Sequence, residues 1–128
     1  MKNLMLMDCT LRDGANVVGK GFSAELTTMM IEGLIRSHIK TIEMGNAYGL
    51  GAYEANGFIA PLTDVAYLEL VQPYINKADI GMFKASKMPM KRTLHWQHST
   101  ALNFCASAQT RATALPQLKV FNLSSSTA

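Results

Sequence analysis

The chain has 128 residues, enough for one domain with a modest core, and its 48% hydrophobic content is typical of a soluble globular protein. No apolar run approaches the ~20 residues that span a bilayer, and "MKNLMLMD" reaches an acidic residue before a secretory signal develops. Cys9 and Cys105 share no metal-ligand spacing and indicate no disulfide framework. We therefore expect a cytoplasmic protein with no membrane partner.

The net charge of +3 conceals a sharp division along the chain. Residues 1–83 contain nine acidic and six basic (Lys/Arg) residues, whereas residues 84–128 contain six basic residues and no acidic one. Average composition would give a stretch of that length roughly five acidic residues. The two parts are therefore expected to be different kinds of sequence.

Short apolar segments alternate with amphipathic ones in the first part. Strands are predicted at 4–9, 40–45 and 78–83, and helices at 23–38 and 64–77. Ser23 is a suitable N-cap for the first helix, Thr63 or Asp64 for the second, and Pro73 is expected to kink or shorten that second helix. The Gly/Ala/Asn-rich segment 46–61 is too long for a bare connection and indicates a functional loop.

This alternation of strands and helices predicts an α/β fold with a parallel sheet. Both α/β barrels and doubly wound sheets place their functional residues at the C-terminal ends of such strands. Periodicity and spacing alone leave the choice between those two architectures open.

The segment "DCTLRDGAN" (8–16) brings two carboxylates and an arginine to the end of the first predicted strand. Asp8, Arg12 and Asp13 would suit a site that holds a metal ion and an anionic substrate, with Asp8 orienting Arg12. The alternative is a plain ion pair between Arg12 and Asp13.

"DCTLRDG" resembles the start of the metal-dependent aldolases and lyases that include 4-hydroxy-2-oxovalerate aldolase and 3-hydroxy-3-methylglutaryl-CoA lyase. The segment "IEMGNAYGLGAYEANGFIAPLTD" (42–64) is similar to the second strand and following loop of the aldolase branch, so the resemblance covers residues 4–83. It implies a partial (β/α)8 TIM barrel, of which this chain holds the first three strands.

The resemblance also implies roles for individual residues. Asp13 would bind Mn²⁺ or Mg²⁺, and Arg12 would steady the enolate oxygen that forms when a carbon–carbon bond of a hydroxy-oxoacid breaks. Asn16 stands where the family usually has a histidine base, and Glu43 is a candidate helper whose role is equally well structural. Substrates would be hydroxy-oxoacids or pyruvate, and an aldehyde dehydrogenase would be a partner of the intact enzyme. The family's His-x-His metal ligands come far later in the barrel, so this chain alone is expected to bind no metal.

Residues 84–128 have no sustained periodicity, so an irregular or disordered tail is predicted. Shifting the reading frame by one base fixes several residues regardless of codon choice: Met88–Pro89 and Trp96–Gln97 give alanine, Met90–Lys91 glutamate, and His95–Trp96 leucine. That frame permits a capped helix followed by a strand. We therefore interpret residues 1–83 as a truncated aldolase-type barrel segment and 84–128 as an out-of-frame tail, and we expect the product to be inactive.

The alternative is a small non-enzymatic α/β module whose basic tail binds nucleic acid or an anionic membrane. Its positive charges are scattered, and it has no amphipathic stripe. Its aromatic residues are few: Trp96, Phe104 and Phe121. Nucleic acid is therefore not the expected partner. His95 and His98 are two isolated histidines in a polar stretch, a pattern that rarely binds metal.

Overall fold

A computed structural model of the chain describes residues 4–84, 104–109 and 117–122. The strands are β1 (Met7–Asp8), β2 (Thr41–Met44), β3 (Asp79–Lys84), β4 (Phe104–Gln109) and β5 (Gln117–Asn122). The helices are α1 (Ala24–Arg36), α2 (Ala52–Asn56) and α3 (Asp64–Val71), with 3₁₀ turns at Gly14–Asn16 and Gln72–Tyr74. None of the helices in these ranges is long and apolar enough to cross a membrane.

The five strands form one mixed sheet in the order β1-β2-β3-β4-β5. Strands β1, β2, β3 and β4 run parallel to one another, and β5 runs antiparallel to β4. The predicted three-stranded parallel sheet is therefore confirmed. The order follows the sequence without a reversal among the described strands, whereas a doubly wound sheet has such a reversal at its switch point.

The structure differs from the prediction of an irregular tail, because residues 104–109 and 117–122 are strands. The edge of β3 would otherwise present unpaired N–H and C=O groups, and backbone pairing of this kind needs no particular side-chain pattern. Lys84 is the last residue of β3, and the other tail residues, including His95, Trp96 and His98, lie outside the described residues.

Both long helices begin at their predicted caps. Ser23 Oγ accepts a hydrogen bond from the N–H of Leu26 at 3.3 Å, and Thr63 Oγ1 accepts one from the N–H of Ala66 at 3.1 Å. Helix α3 ends at Val71 and continues as a 3₁₀ turn that contains Pro73, as the proline predicted. The short helix α2 forms inside the segment that was predicted to be a loop.

The core lies between the sheet and helices α1 and α3. Its fully buried side chains come from all of these elements: Ile31, Ile42, Met44, Tyr67, Leu68, Val71, Ile80 and Met82. Every residue of β2 is buried, so both faces of this strand are covered. Because side chains alternate along a strand, Glu43 lies on the face opposite Ile42 and Met44. The core thereby fixes the strand that carries the buried acid.

Candidate functional site

The site is built on the tight turn that follows β1. The N–H groups of Arg12 and Asp13 both donate to the carbonyl oxygen of Cys9, at 3.1 and 2.7 Å. This turn brings Arg12 back over the C-terminal end of β2, because β1 and β2 are parallel neighbours in register.

Arg12 is held by two carboxylates at different depths. Its Nε donates to Oε2 of Glu43 at 2.8 Å, and its Nη1 donates to Oδ1 of Asp13 at the same distance. The Glu43 side chain is 0% exposed and that of Arg12 17%, whereas that of Asp13 is 69% exposed. The pair with Asp13 is screened by water and contributes little, so Glu43 supplies the stronger hold on the guanidinium.

The guanidinium of Arg12 lies over the aromatic ring of Phe83, at the end of β3. The distance from Arg12 Cζ to the ring centroid is 4.7 Å, which is within cation–π range. Within the described part of the chain, Nη2 of Arg12 makes no hydrogen bond. The guanidinium therefore keeps N–H donors for an anionic ligand while its other sides are occupied.

Cys9 lies beside the buried carboxylate of Glu43. Burial, followed by the negative charge of Glu43 and a hydrogen bond with it, raises the pKa of the Cys9 thiol to about 11. Oε1 of Glu43 is nevertheless buried without a donor at hydrogen-bonding distance and angle among the described residues. The thiol is therefore a neutral neighbour of the carboxylate and does not satisfy the hydrogen-bonding capacity of Oε1.

The structure brings Arg12 and Asp13 into contact, whereas the predicted site residues Asp8 and Asn16 bond elsewhere in the same turn. The carboxylate of Asp8 accepts hydrogen bonds from the N–H and hydroxyl of Thr10, at 2.9 and 3.2 Å. Asp8 thus stabilises its own turn. Among the described residues it makes no hydrogen bond or ion pair with Arg12, and its orienting role stays a prediction. Asn16 is exposed, and its amide donates to the carbonyl oxygen of Asp13 at 3.0 Å.

Sequence reasoning missed two neighbours of Arg12. It named Glu43 only as a helper, and it did not name Phe83 or Cys9 as parts of the site. All three lie at or just after the C-terminal ends of parallel strands, which is the signal that had pointed to the charged residues. Applying that signal to apolar residues as well would have included them.

The described residues do not by themselves form a metal site. No group of three or more His, Cys, Asp or Glu side chains among residues 4–84, 104–109 and 117–122 is placed to hold an ion. Asp13 offers one exposed carboxylate, and one of its oxygens already accepts from Arg12. A hard divalent cation takes about six oxygen ligands, so this donor set does not fit it alone.

A second polar cluster shapes the loop that follows β2. The buried carboxylate of Asp64 accepts from the amide of Asn46 at 2.9 Å and from the N–H of Gly51 at 2.6 Å. The carbonyl oxygen of Lys20 accepts from the N–H of Ala47 and the hydroxyl of Tyr53. These bonds hold the loop to the start of α3 and to the segment that precedes α1. They leave a cavity of about 120 Å³ between the loop and the start of α3.

Comparison with known proteins gives relatives of one kind. The chain is 30% identical over 95 residues to a 4-hydroxy-2-oxovalerate aldolase of Desulfitobacterium hafniense, which is 74% of this chain and 28% of that protein. It is 32% identical over 81 residues to 4-hydroxy-2-oxovalerate aldolase 2 of Nocardia farcinica and to a 4-hydroxy-2-oxovalerate aldolase of Carboxydothermus hydrogenoformans. In both cases the match covers 63% of this chain, and 23% and 24% of those proteins.

The matched region thus spans about a quarter of the length of these relatives. No protein-family model matches the chain. The matches support a relation to the aldolase family over part of the chain, at low identity.

Proposed function

We propose that residues 4–83 are the first part of a (β/α)8 barrel that cleaves or forms carbon–carbon bonds in hydroxy-oxoacids. The observation that carries this proposal is the buried Arg12–Glu43 pair at the C-terminal ends of neighbouring parallel strands. Two further findings support it: the strand order follows the sequence, as in a barrel, and the relatives are 4-hydroxy-2-oxovalerate aldolases.

In this proposal Arg12 stabilises the negative charge of the reaction. In retro-aldol cleavage of a 4-hydroxy-2-oxoacid, a base takes the proton of the 4-hydroxyl group as the C3–C4 bond breaks. An aldehyde is released, and pyruvate is left as an enolate whose charge rests on oxygen. The open N–H groups at Nη2 are suited to that oxygen or to the substrate carboxylate. Because Glu43 already holds Nε of Arg12 at the end of β2, the guanidinium is in place before the charge develops.

Asp13 and Asn16 have supporting roles in the proposal. In a longer polypeptide that supplied further ligands, Asp13 would contribute one carboxylate oxygen to Mn²⁺ or Mg²⁺. The Asn16 amide takes no proton at neutral pH, so we assign it no acid–base role, and its bond to the Asp13 carbonyl steadies the turn. An aldehyde dehydrogenase partner is proposed only for such an intact enzyme.

We further propose that residues 84–128 are translated out of frame and that the 128-residue chain is not an active aldolase. The charge division supports this, since acidic residues are absent from 84–128 although nine precede them. The test is to sequence the gene from codon 75 through codon 130 and several hundred bases beyond. A base missing near codon 84, with a His-x-His codon pattern in the restored frame, is the expected result.

The matching biochemical test compares the purified 128-residue chain with the aldolase of Desulfitobacterium hafniense. Both are incubated with Mn²⁺ and a 4-hydroxy-2-oxoacid, and the released pyruvate is measured. We expect pyruvate only from the relative. Cleavage by the folded 128-residue chain that is lost in Arg12→Met would refute its inactivity while supporting the role of Arg12.

A second candidate function is favoured by the charge of residues 84–128, a net +6. In this alternative the chain is a small α/β module that binds nucleic acid or anionic lipid through its basic part. It predicts binding to duplex DNA, RNA or anionic vesicles that weakens steeply as salt is raised. An intact reading frame together with such binding would favour this alternative over the aldolase fragment.

A further inference from the structure

Phe83 is the apolar contact of the Arg12 guanidinium, and neither the charge pattern nor the comparisons point to it. We propose that Phe83 is a positioning residue that fixes the plane of the Arg12 guanidinium, so that Nη2 faces an anionic substrate. The part of this inference that concerns substrate rests on the proposed function. The part that concerns the guanidinium plane rests on the contacts alone.

The two carboxylates do not fix that plane by themselves. Asp13 follows Arg12 directly in the chain and is 69% exposed, so water and salt weaken its hold. The single bond from Nε to Glu43 Oε2 acts as a pivot about which the guanidinium can tilt. The ring of Phe83, whose centroid is 4.7 Å from Cζ, restricts this tilting. It favours the orientation that keeps the guanidinium over the ring, by about two- to thirtyfold for a contact of this kind.

Phe83 is itself fixed from the other side by the loop after β2. Its carbonyl oxygen accepts a hydrogen bond from the N–H of Leu50 at 2.9 Å. Gly49 lies against the ring, and a Cβ at that position would be 2.7 Å from both Cδ1 and the carbonyl oxygen of Phe83. A substitution at Gly49 should therefore move the ring of Phe83 and, through it, the Arg12 guanidinium, although Gly49 and Arg12 share no hydrogen bond.

The test uses NMR of arginine side chains in the full 128-residue chain. Protons above an aromatic ring resonate upfield, so we expect the Arg12 side-chain N–H signals upfield of those of Arg36, whose side chain is 71% exposed. An Arg12→Lys spectrum assigns the Arg12 signals. Phe83→Met, which keeps an apolar side chain without a ring, should move them downfield, and Phe83→Tyr should keep them in place.

A second pair of variants tests the route through the loop. Gly49 and Gly57 both have a positive φ, +85° and +67°, so alanine strains the backbone at either position. An added Cβ meets Phe83 only at Gly49 and meets nothing within 4 Å at Gly57. We expect Gly49→Ala to shift the Arg12 signals and Gly57→Ala to leave them unchanged.

Adding pyruvate separates this inference from the proposed function. We expect pyruvate to shift the Arg12 signals, with a dissociation constant about tenfold weaker in Phe83→Met than in Phe83→Tyr. If the ring shifts the Arg12 signals but pyruvate does not, the inference about the guanidinium plane is supported and the proposed contact between Arg12 and an anionic substrate fails. Arg12 signals that are the same in the wild type and in Phe83→Met, or equal pyruvate affinity in both Phe83 variants, would overturn the inference.

Discussion

Removing Arg12 from the Arg12–Glu43 pair should lower the free energy of unfolding more than removing Glu43 does. Arg12→Met leaves a carboxylate that is 0% exposed and whose Oε1 already has no hydrogen-bond donor among the described residues. Leaving a buried charge unpaired costs about 3–5 kcal/mol in free energy of unfolding. Glu43→Met instead leaves a guanidinium that still contacts Asp13 and Phe83 and is 17% exposed, so the loss of one charged hydrogen bond should cost about 1.5–3 kcal/mol.

The double variant Arg12→Met/Glu43→Met measures how strongly the two residues are coupled. Because it replaces both charges with apolar side chains, it should be more stable than Arg12→Met alone. Urea unfolding followed by circular dichroism is the assay, and with a slope of about 2 kcal/mol per molar urea Arg12→Met should lower the midpoint by about 2 M. The matched control is Arg36→Met, since Arg36 is paired with Glu32 at 3.8 Å on the exposed face of α1 and should cost about 0–1 kcal/mol.

Two results would contradict this account. If Arg12→Met cost no more than Arg36→Met, Glu43 would not depend on Arg12 for its burial. If the effects of Arg12→Met and Glu43→Met simply added in the double variant, the 2.8 Å contact would contribute no coupling free energy.

Three further predictions concern the thiol, a helix end and the loop. The pKa of Cys9 is raised from 9.0 to about 11 in the folded state, so its contribution to stability is present below pH 9 and is lost as pH rises towards 11. Between pH 9 and 11 the urea midpoint should therefore fall less in Cys9→Ala than in the wild type. His38 has φ +61° just after α1, so His38→Gly should raise the free energy of unfolding by about 1 kcal/mol, measured by urea unfolding, and a loss would contradict the strain. Asp64→Asn replaces an acceptor of the Gly51 N–H with an amide and should cost about 1–3 kcal/mol in the same assay, where an unchanged midpoint would refute the role of Asp64 in holding the loop.

The regular elements were predictable where periodicity and capping agreed. Helices α1 and α3 begin at the residues that their caps indicated, because Ser23 and Thr63 supply the acceptors that the first turns need. The first strand was predicted at 4–9, but only Met7 and Asp8 are paired, since Met7 lies opposite Thr41, the first residue of β2. Apolar composition indicates that a segment can form a strand, but the length of that strand depends on where the neighbouring strand begins and ends.

The site was predictable in its charges and less so in its contacts. Arg12, Asp13 and Glu43 were found because strand ends in parallel sheets carry polar residues. Asp8 bonds within its own turn because a short acidic side chain readily accepts from the backbone N–H two residues later, and this local bond competes with any tertiary one. Phe83 was missed because the strand-end signal was applied only to polar residues, although Phe83 also lies at the end of a parallel strand.

The two proposals for residues 84–128 make different predictions for the edge of β4 that faces away from β3. In an eight-stranded barrel this edge pairs with a further parallel strand, whereas here it is occupied by β5, which runs antiparallel. A chain with this β5 therefore cannot extend into a barrel from β4 without giving up that pairing. A correct reading frame makes β5 the end of a five-stranded mixed sheet and favours the basic module. If a base is missing near codon 84, restoring it replaces the sequence of both β4 and β5, and the parallel order of β1 to β3 then continues into the proposed barrel.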